Sequence, residues 1–406
     1  MNRFINLDQF ISQQVTGRPE SLLAPDIESH RSELAQRLDD KSVMVIGGAG
    51  TIGSSFVKAV LQFKVKRLFV IDTNENGLAE LVRDLRSSTG LHIPEVLITY
   101  PINFGTAVFE KIWRGEGPFD IVANFAAHKH VRSEKDHYSI EAMVENNVLL
   151  AKRLLDLLAE NPPERFFCVS TDKAANPVNV MGASKKLMEE VILAYSKIMP
   201  ITTARFANVA FSNGSLPFAF IQRLMKQQPL SSPIDVKRYF VSPEESGQLC
   251  MLACMLGESG DIFFPKLDET EDVLTFAQIA ERLLAELGYE PDYCETEDEA
   301  RQKAKAMTAH TQQYPVFFFA TNTSGEKPFE EFYTTSETVD LDTFQALGVI
   351  KDAKRRKIQD LNAIINNLDQ LFTSKEITKE KVVEVLKDFL PTFEHIETGK
   401  NLDQRM

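Results

Sequence analysis

The chain has 406 residues, 43% hydrophobic and 25% charged, the balance of an ordinary globular protein longer than one average domain. Its 45 Lys and Arg against 58 Asp and Glu give a net charge of −13, which argues against a nucleic-acid binder but not against a small anionic substrate. No stretch approaches the ~20 consecutive apolar residues of a membrane span, so no membrane helix is expected.

In chain order, the opening MNRFINLDQFISQQ has no positive segment followed by an apolar core, so no secretory signal is expected. Residues 1–40 read as polar helical pieces, with DIESHRSELAQRLDD at helical spacing and Asp26 as its N-cap. From Lys41 the pattern changes: SVMVIGG, KRLFVID, EVLITYPIN, FDIVANFAA and ERFFCVS read as buried strands. Helices such as TIGSSFVKAVLQF and EAMVENNVLLAKRLLDLLAE separate them. Strands alternating with helices imply right-handed crossovers and a parallel sheet covered on both faces.

After PITTARFANVAF the rhythm becomes irregular. DVKRYFVSPEESGQLCMLACML reads as a loop and then a helix with an acidic first turn. TFAQIAERLLAELG is an amphipathic helix closed by Gly288, and ETEDEARQKAKAM is a charged, solvated one. The tail from about Ile350 is helical. The four cysteines, Cys168, Cys250, Cys254 and Cys294, form no CxxC pair, which fits a reducing cytoplasm.

The first chemical signal is VIGGAGTIGSS, with Gly47, Gly50 and Gly53 between a strand and a helix. Such glycines permit a tight turn, close approach of backbone to a pyrophosphate, and close helix–strand packing. Thr51 and Ile52 open the helix, whose free N–H groups face the phosphates. Asp72 ends the second strand at the distance where a carboxylate meets both ribose hydroxyls and repels a 2′-phosphate, so NAD is expected rather than NADP. In NFAAHKHV the small Ala126 and Ala127 let the chain pass close to that cofactor. His128, Lys129 and His130 follow in a loop lining the cleft; no set of carboxylates or cysteines at ligand spacing accompanies them, so no metal is expected.

The stretch VSTDKAANPVNVMGASKK holds the second signal. Thr171, Asp172 and Lys173 follow a strand end, where open α/β sheets place ligands. An Asp beside a Lys supplies one acid and one base when their environments separate them. Met181 and Lys185 stand four apart on the following helix and share a face.

GGAGTIGS, AAHKHV, STDKAANPVNVMGASKK, RFANVAFSNGS, RYFVSPEE and SGEKPFEEF occur in the order found in extended short-chain dehydrogenases that act on nucleotide sugars. Over residues 41–335 the chain resembles the UDP-N-acetylglucosamine 4,6-dehydratases of bacterial polysaccharide biosynthesis. The resemblance implies a Rossmann-type doubly wound α/β sheet with a smaller, irregular substrate-binding region and helical terminal extensions. The divisions expected are 1–40 as N-terminal extension, 41–207 for NAD, 208–345 for the nucleotide sugar and interleaved with the former, and 346–406 as C-terminal extension. It further implies a hydro-lyase in which Lys173 takes the C5 proton, Asp172 protonates the departing C6 hydroxyl and Thr171 bonds the C4 oxygen. Lys185 would hold the nicotinamide ribose; His128, Lys129, Asn208 and Arg238 would meet the nucleotide sugar.

Relatives with a tyrosine carry Tyr-x-x-x-Lys where this chain has Met181-x-x-x-Lys185; a methionine there resembles the membrane-anchored branch of the family, and a thioether takes no proton. Asp172 or Lys185, through water and Thr171, stand as alternatives for the C4 hydroxyl proton. Two other functions share the scaffold: a nucleotide-sugar 4-epimerase or dehydrogenase, and a non-catalytic NAD sensor. Arg205 is open between a structural and a site role, and the terminal extensions between caps on the core and faces for a homo-oligomer.

Overall fold

The computed structural model describes residues 5–130, 134–268, 270–321, 331–374 and 376–395. Six strands come first: Ser42–Ile46 (β1), Arg67–Asp72 (β2), Val96–Pro101 (β3), Ile121–Asn124 (β4), Arg165–Val169 (β5) and Ile201–Ala204 (β6). All pair in parallel. Two short strands, Asn208–Val209 (β7) and Leu230–Pro233 (β8), precede Lys237–Val241 (β9) and Ile262–Pro265 (β10). Then come Val273–Thr275 (β11), Glu290–Tyr293 (β12), Gln313–Phe319 (β13), Thr338–Asp340 (β14) and Leu347–Lys351 (β15).

The main sheet runs β14-β15-β10-β6-β5-β4-β1-β2-β3. β10 joins β6 in parallel, and β15 and β14 close that edge antiparallel. Two three-stranded sheets, β11-β9-β7 and β12-β13-β8, lie apart from it. Three strands from beyond residue 207, β10, β15 and β14, therefore complete the first sheet. Segment 237–241, read from sequence as a loop, is β9; its partners β7 and β11 are brought in from distant sequence.

Alternate residues of the central strands face opposite layers, and both layers are apolar, which is why these strands read as unbroken hydrophobic runs. Met44, Ile46, Val122 and Phe166 pack under Val180–Ala194 and the helical run from His137 to Glu160. Val43, Val45, Ile121 and Phe167 pack under Thr51–Val60 and Pro243–Leu256. Cys250 and Cys254 are buried there, and burial pushes the Cys254 thiol up to about 12.

Both extensions cap the core. Helices Ala24–Ser29 and Arg31–Leu38 lie on the second layer. Asp26 is no N-cap; it stands inside its helix, and its carboxylate accepts from the Gln345 and Ala346 backbone N–H groups at 2.7 and 2.8 Å. Both are charge-assisted hydrogen bonds to a buried carboxylate, which they satisfy. Helices Ile358–Thr373 and Lys379–Phe389 add Leu361, Ile364, Leu368, Val382 and Leu386 to the first layer. Arg356 pairs with Glu190, and His395 with Glu134, whose carboxylate accepts from the Val180 N–H at 2.7 Å.

Candidate active site

The chain leaves β1, runs outward to β2 and β3, then returns to the other side of β1 with β4. That reversal opens a crevice at the carboxyl ends of β1 and β4, the place where such sheets bind ligands. Gly47 turns there with φ +78°, and a Cβ on it would stand 2.5 Å from the Ala126 nitrogen. A Cβ on Gly53 would stand 2.2 Å from the Gly47 oxygen, so both positions admit only glycine. Gly50 is the N-cap of Thr51–Val60, and no side chain caps that helix. Its first turn presents bare backbone donors and the positive end of the helix dipole. Asp72 accepts from Ala49 N and Asn74 N, both at 2.9 Å, which fixes its carboxylate against the loop. This loop, helix end and carboxylate fit a dinucleotide.

Beyond the glycine turn lies a cavity of about 500 Å³, the size of a small-ligand site. Of the residues singled out from sequence, Ile52, Ala127, Lys129, His130, Thr171, Asp172, Lys173, Met181, Lys185 and Asn208 line it. Gly47, Gly50, Thr51, Gly53, Asp72 and Ala126 form the turn beside it. His128 and Arg238 are not on its wall. The Arg238 side chain is buried on β9 and donates to the Lys237 carbonyl at 2.9 Å. Of SGEKPFEEF, Glu326 and Lys327 lie outside the described residues. Among the described residues no cluster of three His, Cys, Asp or Glu could hold a metal ion.

Thr171, Asp172 and Lys173 stand where β5 ends and a short turn, Asp172–Ala174, begins. Thr171 Oγ1 donates to Asp172 Oδ1 at 2.8 Å, and Lys173 Nζ donates to the same oxygen at 3.0 Å. The following helix is capped by the Asn179 side chain, and carries Met181 and Lys185 one turn apart. Lys185 Nζ donates to the Val169 carbonyl at 2.7 Å, and burial pulls its ammonium below its ordinary value. Burial does the same to Lys129 and His128.

Several residues carry no sequence signal strong enough to name them. Asn147 sits in a π-turn, Glu145–Leu149, inside an otherwise regular helix. Its amide group grips the His128 backbone, accepting at 2.8 Å and donating at 3.0 Å, and reaches Ser184 on the Met181 helix at 3.1 Å. The polar ENN within an apolar run is the only hint. The far wall comes from Phe220, Phe240, Phe276 and Phe319, with Arg223, Ser231 and Ser232. Arg205 faces away: it is fully buried and bonds Glu189 and Glu337, so its role is structural.

The glycine turn at the switch point, the polar strand end and Lys185 on the next helix thus meet at one crevice of a Rossmann-type sheet, the class of dinucleotide-binding folds. Within that class, the chain belongs to the family described as polysaccharide biosynthesis protein, whose model matches residues 43–352. It is 28% identical over 357 residues to the uncharacterized membrane protein MJ1061 of Methanocaldococcus jannaschii, covering 86% of this chain and 96% of that one. Among the described residues here, no helix is long and apolar enough to cross a membrane. It is 28% identical over 269 residues to capsular polysaccharide biosynthesis protein CapD of Staphylococcus aureus, covering 65% of this chain. The match spans 44% of CapD, less than half its length. Of solved structures, Pen from Bacillus thuringiensis shares the fold with a TM-score of 0.62 and 22% identity, over 82% of this chain and 99% of that one. The dTDP-glucose 4,6-dehydratase DesIV from Streptomyces venezuelae shares it at 0.52 and 21%, over 68% and 87%.

Proposed function

We propose that this chain is an NAD-dependent nucleotide-sugar 4,6-dehydratase that acts on UDP-N-acetylglucosamine for glycan biosynthesis. The observation that carries the reading is the Thr171–Asp172–Lys173 cluster, bonded together on the wall of one cavity with Lys185. NAD, which the Gly47–Gly53 turn, Asp72 and Lys185 would hold, would supply reversible hydride exchange with the sugar. The residues do the rest. Lys173, as the free amine, removes the C5 proton made acidic by the C4 ketone and gives a proton back to C5 when the hydride reaches C6. Asp172, in its protonated form, gives its proton to the departing C6 hydroxyl. Each such transfer is worth ~10²–10⁴-fold in rate. Lys185 orients the nicotinamide ribose from beneath. The phenylalanine wall contributed by residues 208–345 receives the nucleotide, and residues 41–207 the dinucleotide. The four free cysteines match a cytoplasmic setting, where they stay reduced.

Pure protein incubated with UDP-N-acetylglucosamine and no hydride acceptor is expected to give a product lighter by one water, without accumulation of NADH. A product of unchanged mass would favour a 4-epimerase, since exchange at C4 needs no base at C5. Lys173→Ala is expected to lose dehydration by at least ~10²-fold while NAD affinity, read by calorimetry, stays within about twofold. Normal turnover in that variant removes Lys173 from the mechanism.

A further inference from the structure

The far wall of the cavity is backed by a segment that precedes the family match. Residues 5–22 lie before the matched residues 43–352. Phe10, Ile11 and Val15 are buried against Phe211, Phe220 and Phe240, and the last two also line the cavity. Arg18 ties the segment down. Its Nε and Nη2 each donate to Glu245 at 2.8 Å, Nη1 donates to Asp272 at 2.7 Å, and Nη2 to the Phe240 carbonyl at 3.0 Å.

Phe211 has φ +52°, a left-handed backbone that a bulky side chain rarely adopts. The Ala210 N–H, bonded to the Val241 carbonyl at 2.9 Å, fixes the chain just before it. The Phe10 ring meets the Phe211 ring edge to face, with centroids 5.8 Å apart, and so holds the strained turn in place. After the turn the loop touches both lips of the dinucleotide crevice. Asn213 N–H donates to Thr51 Oγ1 at 2.9 Å, beyond β1. Gly214 lies against His130, beyond β4; a Cβ on it would stand 3.0 Å from His130 Nε2. Ser212, Gly214 and Ser215 line the cavity.

We propose that Phe10 is a positioning residue for the dinucleotide site. By holding Phe211 left-handed, it lays residues 212–215 as a strap from Thr51 to His130 across the crevice, and a bound dinucleotide leaves only when that strap lifts. Without the Phe10 ring, Phe211 relaxes toward an ordinary backbone conformation, which turns the Asn213 N–H away from Thr51. The strap acts on the dinucleotide alone, whichever sugar nucleotide fills the cavity.

The full chain is loaded with NADH, and release into excess NAD is followed by NADH fluorescence. Phe10→Ala is expected to release NADH about five- to tenfold faster, the worth of one hydrogen bond. Thr51→Val removes the acceptor, and Phe10→Ala added to it is expected to change release by less than about twofold, because the bond is already gone. Phe211→Gly added to Phe10→Ala is expected to bring release back to within about twofold of native, because glycine takes the left-handed turn without a buttress. A Phe10 that only fills the core gives the opposite pattern: its effect multiplies with that of Thr51→Val, and loss of the second ring worsens loss of the first. Either of those results, or native release in Phe10→Ala, overturns the strap. Hydrogen exchange of the native protein is a second check that needs no variant. NADH is expected to slow exchange in residues 5–15 as well as in 211–215, although no residue of 5–15 lines the cavity. Unchanged exchange in 5–15 overturns the role of Phe10.

Discussion

Two neighbouring hydroxyls at the end of β5 serve two different charged clusters. Ser170 donates to Glu189 Oε1 at 2.7 Å, and Thr171 donates to Asp172 Oδ1 at 2.8 Å. Behind Ser170 every polar atom is matched. Arg205 directs Nε and Nη2 at Glu189, Nη1 and Nη2 at Glu337, and Nη1 at the Phe332 carbonyl, all between 2.8 and 2.9 Å. That uses all five guanidinium hydrogens. Behind Thr171, Asp172 has one oxygen that bonds no group among the described residues, and it faces a cavity. The charges are of the same kinds and the strand is the same. A closed cluster holds the structure, whereas an open one has capacity left for a ligand.

The largest expected effect falls on the closed cluster. Arg205→Met removes the guanidinium that pairs with both Glu189 and Glu337, leaving Lys186 at 3.5 Å from Glu189, and unfolding in urea is expected to show a loss of ~3–5 kcal/mol. A cost below ~1 kcal/mol would remove the contrast between the clusters. Acid should reveal the same cluster next. Burial alone would raise the Glu189 carboxyl, but Arg205, with help from Lys186 and Ser170, more than reverses this and holds it at about 2. The folded value lies below the unfolded one, so the stabilisation is complete above about pH 4.5 and is lost as pH falls toward about 2. The loss is on the order of 3 kcal/mol, read as a falling urea midpoint that flattens in Arg205→Met. The smallest effect on stability belongs to the open cluster. Asp172→Asn is expected to change unfolding free energy by less than ~1 kcal/mol while dehydration disappears. A large destabilisation there would make Asp172 structural, like Glu189.

The sequence exposed the parts whose chemistry is local. Gly47, Gly50 and Gly53 declare a turn between strand and helix, and Thr171–Lys173 declare a polar strand end, because in each the meaning sits within a few residues. The alternation of strands and helices gave the sheet, since both its faces are buried and every central strand is apolar. What stayed hidden depends on partners distant in sequence. Arg205 could be read either way until Glu337, 132 residues on, closed the cluster around it. Asp26 looked like a helix cap because its partners are backbone groups at 345 and 346, which no residue type announces. The phenylalanine wall was unreadable for a related reason: Phe220, Phe240, Phe276 and Phe319 come from four separate elements, and phenylalanine marks core and ligand wall alike.

The C-terminal helices carry a consequence for how the molecule is made. The family match stops at residue 352, but the layer that covers the Met181–Lys185 helix includes Leu361, Ile364, Leu368, Val382, Leu386 and Phe393. On the ribosome, the helix bearing the cavity lysine keeps an uncovered oily face until Phe393 has emerged. A polypeptide cut at the family boundary would hold that face bare permanently, and such faces adhere to one another or to chaperones. The family model and the packed layer thus end at different residues.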